Sequence, residues 1–181
     1  MLNPFLKQLN ALSTPGTSAA QFLKTLGPVH AQWHSANNKG TVSIGFLLFH
    51  WELIQRFKAV GGPAHFGSII PFTNAQLISF HATYDVTDPV LRGDVASLEN
   101  FSTGIGGIEQ WHNNAHMAIG MAFHKNMMNP KTNVLLPQFW QLHYFINDRF
   151  EEKLGDFRSV PTATTSAVVA QLETTDSISR V

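Results

Sequence analysis

The chain has 181 residues, of which 44% are hydrophobic and 13% charged, and its formal net charge is zero. This length and apolar content suit a single domain over residues 1–181, and the low charge offers no basic surface for nucleic acid. The absence of cysteine excludes disulfides, zinc–thiolate sites and iron–sulfur clusters. We see neither a signal peptide nor an apolar run of about 18 residues, which predicts a cytoplasmic protein without a membrane span.

The first two predicted helices are short. Asn3 and Pro4 suit the cap and first position of a helix, and Ser18 suits the start of a second one. Gly27 is typical of a helix end, and Pro28 of a new helix start. The sequence therefore predicts a break between Gly27 and Pro28.

The helix predicted after this break carries His30 and His34, which lie four residues apart. Side chains at this spacing lie one above the other on a helix, so the two imidazoles can share one metal ion. A longer helix, predicted over residues 44–60, has His50 within its apolar stripe.

Residues 61–103 are mostly loop-like in sequence. Thr73 suits the cap of a short helix, and another short helix is predicted over residues 88–98. His65 and His81 lie in this region, and we interpret them as structural or pocket-lining residues rather than as metal ligands.

Two further helices complete the predicted core. The first, over residues 107–123, carries His112 and His116, which again lie four residues apart. The second starts at Pro137 and carries His143 on its apolar face. The segment HKNMMNPKTN between them is predicted to be a loop, and no role is assigned to its histidine, His124.

The last predicted helix is expected to end near Gly155, because glycine is common just past a helix end. Residues 156–181 are rich in Ser and Thr and have weak patterning, and they are interpreted as a tail or flap. The elements together predict a mainly α protein.

Four predicted helices thus direct six histidines to one interior. Burying so many imidazoles is costly unless each finds a partner, and a metal ion is such a partner. Neutral imidazole suits copper, zinc, iron and nickel. We interpret the set as a two-metal site with two groups of three ligands: His30, His34 and His50, then His112, His116 and His143.

Other metal and catalytic patterns fit less well. A zinc protease needs HExxH, whereas this chain has HAQWH and HNNAH, and the GxSxG motif of serine hydrolases is absent. A carboxylate-bridged di-iron bundle needs two Glu-x-x-His motifs, and only Glu109 with His112 forms one. Further carboxylates keep this alternative open: Glu52, Glu99, Glu151 and Glu152.

Three segments resemble motifs of the type 3 (dinuclear) copper proteins, which comprise tyrosinases, catechol oxidases, insect-type phenoloxidases and hemocyanins. IEQWHNNAHMAIG resembles the motif that carries two ligands of the second copper, and PQFWQLHYFINDRFEEKL the motif of its third ligand. FLLFHWELIQRF resembles the motif around the last ligand of the first copper. The resemblance covers residues 28–57 and 104–154 and is more specific in the second range.

This resemblance implies an antiparallel four-helix bundle, with short extra helices and loops, that encloses two copper ions. Each group of three histidines would hold one ion. The implied function is that of a copper-dependent oxidase or monooxygenase, which uses O2 to hydroxylate phenols at the ortho position or to oxidise catechols and o-aminophenols, as in natural-product biosynthesis. Glu109 and Asn113 match the positions that hold a phenol-deprotonating water in tyrosinases.

The chain also departs from the family pattern. Thr41 stands where tyrosinases usually have a ligand of the first copper, so His30 and His34 more closely resemble the hemocyanin arrangement. Asn147 replaces a usual acid, and Asp148 is predicted to orient the site instead. A hemocyanin-like O2 carrier therefore stays an alternative, although carriers usually shield the site and no shielding domain is evident. The pattern is also compatible with a partner protein that delivers copper or covers the metal site, and with a homo-oligomer.

Overall fold

The computed structural model describes residues 4–37, 45–80, 98–103 and 107–158. Within these ranges the chain is mainly helical and has no strand, which confirms the predicted mainly α class. No helix in them combines the length and the apolar character that crossing a membrane requires.

Eight α-helices and one 3₁₀ helix lie in the described ranges: α1 (Pro4–Leu12), α2 (Ala19–Asn37), α3 (Gly45–Ala59), α4 (Gly62–His65), α5 (Asn74–Phe80), α6 (Leu98–Thr103), α7 (Ile108–Ala122), a 3₁₀ helix (Asn133–Leu135) and α8 (Pro137–Arg158). The helix predicted over residues 88–98 lies almost wholly outside the described residues, as do residues 159–181 of the predicted tail.

Two helix starts follow directly from local sequence. The Ser18 hydroxyl accepts from the backbone N–H of Gln21 at 3.3 Å, and the Gln21 side-chain oxygen accepts from the backbone N–H of Ser18 at 3.3 Å. Thr73 and Gln76 make the same reciprocal pair at the start of α5, at 3.2 and 2.9 Å. Such capping boxes satisfy otherwise unpaired N–H groups, so both predicted starts are confirmed.

The predicted break at Gly27 and Pro28 is wrong, because α2 runs through both residues to Asn37. A side chain at position 27 would overlap the carbonyl oxygen of Lys131. The glycine therefore allows a close approach between the helix and a distant loop rather than ending the helix. Pro28 removes one N–H donor from the helix but does not end it.

The predicted end of the last helix is also wrong. α8 passes through Gly155 and continues to Arg158, so the first residues assigned to the tail are helical. The prediction relied on a preference of glycine that is only statistical. The region after α3 differs as well, since residues 62–65 form the short helix α4 where a loop was predicted.

Aromatic contacts hold the histidine-bearing helices together. The rings of Phe57 in α3 and Trp140 in α8 stack with centroids 3.6 Å apart, and those of Trp33 in α2 and Phe49 in α3 stack at 4.5 Å. All four side chains are buried. Burying such large rings contributes strongly to stability, and these contacts bring the inner faces of α2, α3 and α8 together.

Candidate metal centre

The structure brings together all six predicted ligands. They are carried by α2, α3, α7 and α8, and five of them are buried, while His34 is partly buried. The ring centroids of His50 and His143, which belong to different predicted triads, are only 4.9 Å apart. The imidazoles therefore form one continuous cluster: His30, His34, His50, His112, His116 and His143.

The first predicted triad is compact. One ring nitrogen from each of His30, His34 and His50 lies within 4.8 Å of the others. Nε2 of His30 is 3.0 Å from Nε2 of His34 and 3.4 Å from Nε2 of His50. Three nitrogens this close can bind a single ion.

The second group differs in membership from the predicted triad. The nitrogens that lie within 4.8 Å of one another belong to His50, His112 and His143, so His50 is shared by both groups. His116 is outside that limit, although its ring centroid is 4.3 Å from that of His112 and 5.3 Å from that of His143. The two predicted halves are thus adjacent.

Backbone carbonyl oxygens fix the orientation of four rings. Each accepts a hydrogen bond from an Nδ1, and since a carbonyl can only accept, that Nδ1 carries the proton. The lone pair of the neutral ring is then on Nε2, where a metal can bind. The pairs are His30 with Pro130 (2.8 Å), His50 with Phe46 (2.8 Å), His116 with Met127 (2.7 Å) and His143 with Phe139 (2.7 Å).

The first triad contains two opposed lone pairs. Since His30 and His50 both use Nδ1 as the donor, their Nε2 atoms are both acceptors, yet they lie 3.4 Å apart. Two acceptors cannot hydrogen-bond to each other. Nε2 of His34 can donate to Nε2 of His30 at 3.0 Å, but Nε2 of His50 is then left without a donor among the described residues, which is destabilising for a buried polar atom. A cation between the two atoms would satisfy both.

The second half of the cluster contains two unpaired nitrogens. Nε2 of His116 and Nδ1 of His112 are buried and have no hydrogen-bond partner among the described residues. Nε2 of His112 is 3.1 Å from Nε2 of His143. Buried nitrogens without partners are uncommon in folded proteins, and a second metal ion would supply a partner for His116.

The cluster is uncharged at neutral pH. Burial lowers the pKa of all six imidazoles, and neighbouring imidazoles lower the pKa of most of them further. The pKa of His34 and that of His116 fall to about 4. Neutral imidazole is the form that binds metal, so the protein holds the rings in the ligating state.

Aromatic rings cover part of the cluster. Phe139 stacks on His143 with centroids 3.9 Å apart and meets His30 edge-on at 5.1 Å, so one ring contacts both halves. Phe46 lies 4.9 Å from the ring of His112. A dry surrounding strengthens electrostatic interactions inside a site.

A cavity of about 220 Å³ opens beside the cluster. Three imidazoles form one side of it, and amide, thioether and proline groups form the rest. The lining residues are His34, His112, Asn113, His116, Met127, Met128, Pro130 and Asn133. The space therefore has direct access to both halves of the cluster.

The two predicted catalytic residues differ in position. Asn113 lines the cavity, whereas Glu109 is half-buried one turn earlier on α7 and is not among the lining residues. Burial raises the pKa of the Glu109 carboxyl. Such a shift makes a carboxylate a stronger base.

Carboxylates are absent from the candidate metal groups of the described residues. Glu52 pairs with Arg56 at 3.2 Å, and Glu152 pairs with Arg149 at 2.7 Å. Glu151 accepts hydrogen bonds from side chains of α3 and α8. The side chain of Glu99 lies outside the described residues. This donor set weighs against the di-iron alternative.

Asp148 does not orient the cluster as predicted. It is exposed, and His143 is held by the carbonyl oxygen of Phe139. Asn147 is buried, but its amide donates to Glu151 at 3.0 Å and not to an imidazole. The role expected of an acid after His143 is therefore filled by the backbone of the preceding helical turn.

The remaining histidines are separate from the cluster. His65 ends α4 and is exposed, so the prediction that it is structural or pocket-lining finds no support. His124 is exposed and has a φ of 52° directly after α7 ends, which is a left-handed conformation common at helix ends. His81 lies outside the described residues.

Sequence reasoning missed the loop between α7 and the 3₁₀ helix. Its backbone supplies the carbonyls of Met127 and Pro130 that hold His116 and His30, and Asn133 lines the cavity. The anchors of His50 and His143 could have been found, since each is the carbonyl four residues earlier on the same helix. No local signal indicates the loop anchors.

Comparison with known proteins returns no match. No protein-family model, no curated protein and no solved structure matches the chain. The resemblance to type 3 copper proteins therefore depends on the motifs described above.

Proposed function

We propose that the chain binds two copper ions in its six-histidine cluster and is a tyrosinase-like oxidoreductase. The implied reactions are ortho-hydroxylation of phenols and oxidation of catechols or o-aminophenols with O2. In this proposal α2, α3, α7 and α8 form an antiparallel bundle around the ions. The observation that carries the proposal is the pair of opposed Nε2 atoms of His30 and His50, 3.4 Å apart.

The donor set supports a metal site over structural histidines. A structural histidine uses both ring nitrogens in hydrogen bonds, or leaves one in water. Here the Nδ1 atoms of four rings are used by carbonyls, while three of those rings, His30, His50 and His143, are buried and belong to the compact groups. This is the usual arrangement of a ligating imidazole, in which the second nitrogen is held by an acceptor.

Copper is favoured by the chemistry of the donors. Imidazole nitrogen suits copper, zinc, iron and nickel, and Cu(II) generally binds nitrogen sites most tightly among these ions. Non-haem iron sites in helical bundles usually include carboxylates, and the described groups contain none. A bound copper pair supplies the O2 chemistry, while the protein supplies geometry, a dry surrounding and control of protons.

The cavity supports a small aromatic substrate. A volume of about 150 Å³ is enough to hold benzene, and this open, half-polar cavity measures about 220 Å³. Met127, Met128 and Pro130 offer apolar contact, and Asn113 and Asn133 are its amide-bearing residues. In this proposal one substituted ring would lie beside the imidazoles of His112 and His116.

Glu109 is the proposed base. A phenol must lose its hydroxyl proton before hydroxylation, and a half-buried carboxylate with a raised pKa accepts protons more readily than an exposed one. Asn113, one helical turn after Glu109, lines the cavity and would orient the water between base and substrate.

Copper titration of the full chain tests the proposal. We expect two copper ions per chain under argon, measured against a chromophoric chelator, and a new near-ultraviolet absorption band when the reduced, loaded protein meets O2. As a matched pair, His116→Ala should reduce the count to one, whereas His65→Ala should leave it at two, because only His116 belongs to the cluster.

Substrate assays then separate the proposed enzyme from its alternatives. Turnover of a phenol, a catechol or an o-aminophenol supports the oxidoreductase. Reversible O2 binding without turnover of any of them would favour the hemocyanin-like carrier. Binding of fewer than two copper ions, without the absorption band, would refute the dicopper assignment.

A further inference from the structure

One loop provides a carbonyl anchor to a histidine of each predicted triad. The oxygen of Met127 accepts from Nδ1 of His116 at 2.7 Å, and the oxygen of Pro130 accepts from Nδ1 of His30 at 2.8 Å. Both imidazoles lie on helices, but neither is oriented by its own helix. The position of this loop therefore sets the direction of one Nε2 in each half of the cluster.

Asn133 holds the loop in that position. Its side chain is 3% exposed, and its Nδ2 donates to the carbonyl oxygen of Met127 at 3.1 Å. That oxygen thus accepts from both Asn133 and His116, one donor for each lone pair. The backbone N–H of Asn133 also donates to the oxygen of Asn129 at 2.9 Å, which closes the turn.

We propose that Asn133 is a positioning residue for the metal centre. By fixing the carbonyl of Met127, its side chain orients His116. The inference rests on the proposed copper function, because it takes His116 to be a ligand. Removing a group that orients ligating histidines typically weakens metal binding about 10- to 100-fold.

The chain contains a matched control. Asn147 is 4% exposed, donates a hydrogen bond from Nδ2 to Glu151 at 3.0 Å, also hydrogen-bonds the Asp148 carboxylate, and has a buried Oδ1 without a partner among the described residues. The Oδ1 of Asn133 is unpaired in the same way. The two asparagines differ in what they hold, since Asn147 contacts no anchor of an imidazole. Replacing either by Leu removes a buried, hydrogen-bonded amide, but only at position 133 does the amide hold the anchor of an imidazole.

The experiment compares three variants of the full chain: Asn133→Leu, Asn133→Ala and Asn147→Leu. Alanine removes the donor without adding bulk, so it also loses the hydrogen bond and protects the test if the Leu variant does not fold. We expect both Asn133 variants to bind the weaker of the two copper ions about 10- to 100-fold less tightly. Asn147→Leu should bind both ions as the wild type does. Equal affinities in all variants would overturn the inference.

A second measurement does not depend on copper. In the metal-free protein, the Nδ1 proton of His116 should exchange slowly with solvent, as seen by nitrogen-edited NMR. Loss of the support from Asn133 should speed this exchange about tenfold, the effect of roughly one hydrogen bond, while Asn147→Leu leaves it unchanged. An unchanged rate in both Asn133 variants would overturn the inference. A wild-type chain that binds fewer than two copper ions would instead refute the proposed function, and the exchange rates would still decide the role of Asn133.

Discussion

Replacing His50 by Leu should make the metal-free protein more stable. In the wild type, Nε2 of His50 faces Nε2 of His30 at 3.4 Å with no proton between them. An unsatisfied buried polar atom costs about 1–3 kcal/mol, and the lost hydrogen bond to the Phe46 carbonyl is worth about 0.5–1.5 kcal/mol. That carbonyl is still paired within α3 by the backbone N–H of residue 50. The net gain is about 1 kcal/mol, equivalent to roughly 2–4 °C in melting temperature for a chain of this size.

The sign of the effect should reverse with copper. Copper at about 100 times its dissociation constant stabilises the wild type by about 2.7 kcal/mol, and His50→Leu should lose most of this because His50 belongs to both candidate groups. Thermal unfolding of chelator-treated and copper-loaded samples measures both effects, with His65→Leu as an exposed control. A structural role for His50 predicts the opposite for the metal-free protein. A metal-free variant destabilised by more than about 2 kcal/mol, the usual cost of a disrupted core, would refute the reasoning.

Three further predictions follow from the same geometry. Glu109→Gln should slow phenol hydroxylation at least about tenfold more than catechol oxidation, since a positioned base typically contributes about 100-fold or more, and equal rate losses would remove its role as base. The metal-free protein should lose stability as pH falls from about 6.5 towards 4. In this range the unfolded chain binds protons at His34 and His116, whereas burial lowers the pKa of both to about 4 in the folded protein. Each contributes up to about 1.4 kcal/mol per pH unit, and urea unfolding that is flat between pH 7 and 5 would contradict this. Gly27→Ala should displace the Lys131 carbonyl and weaken copper binding at His30, whereas copper titration identical to wild type would show that the loop tolerates the shift.

The helices and the six imidazoles could be predicted because their signals are local. Apolar spacing indicates which face of a helix is buried, and a four-residue spacing places His112 and His116 on that face. Reciprocal caps such as Ser18 with Gln21 are also determined by a few adjacent residues. These features need no knowledge of the rest of the chain.

The break in α2 was mispredicted because the reason for Gly27 lies far away in sequence. Its neighbour in space is the carbonyl of Lys131, and nothing near Gly27 in the sequence points to that loop. The anchors Met127 and Pro130 escaped prediction for the same reason, since a backbone carbonyl has no sequence signature. The second compact group contains His50 where the sequence predicted His116, and this difference likewise depends on how the helices pack.

The bond from His30 to the carbonyl of Pro130 spans 100 residues of sequence. During synthesis the first three imidazoles leave the ribosome with α2 and α3, long before the backbone that orients His30 exists. Contacts of such high sequence separation form late because a long loop must close first. A nascent chain therefore carries three of the six imidazoles before the carbonyl that orients His30 exists, and the ordered cluster forms only once residues beyond α7 have been made. In the proposed function, copper binding in the final geometry would consequently follow synthesis, and an incomplete chain would not assemble a paired-metal centre.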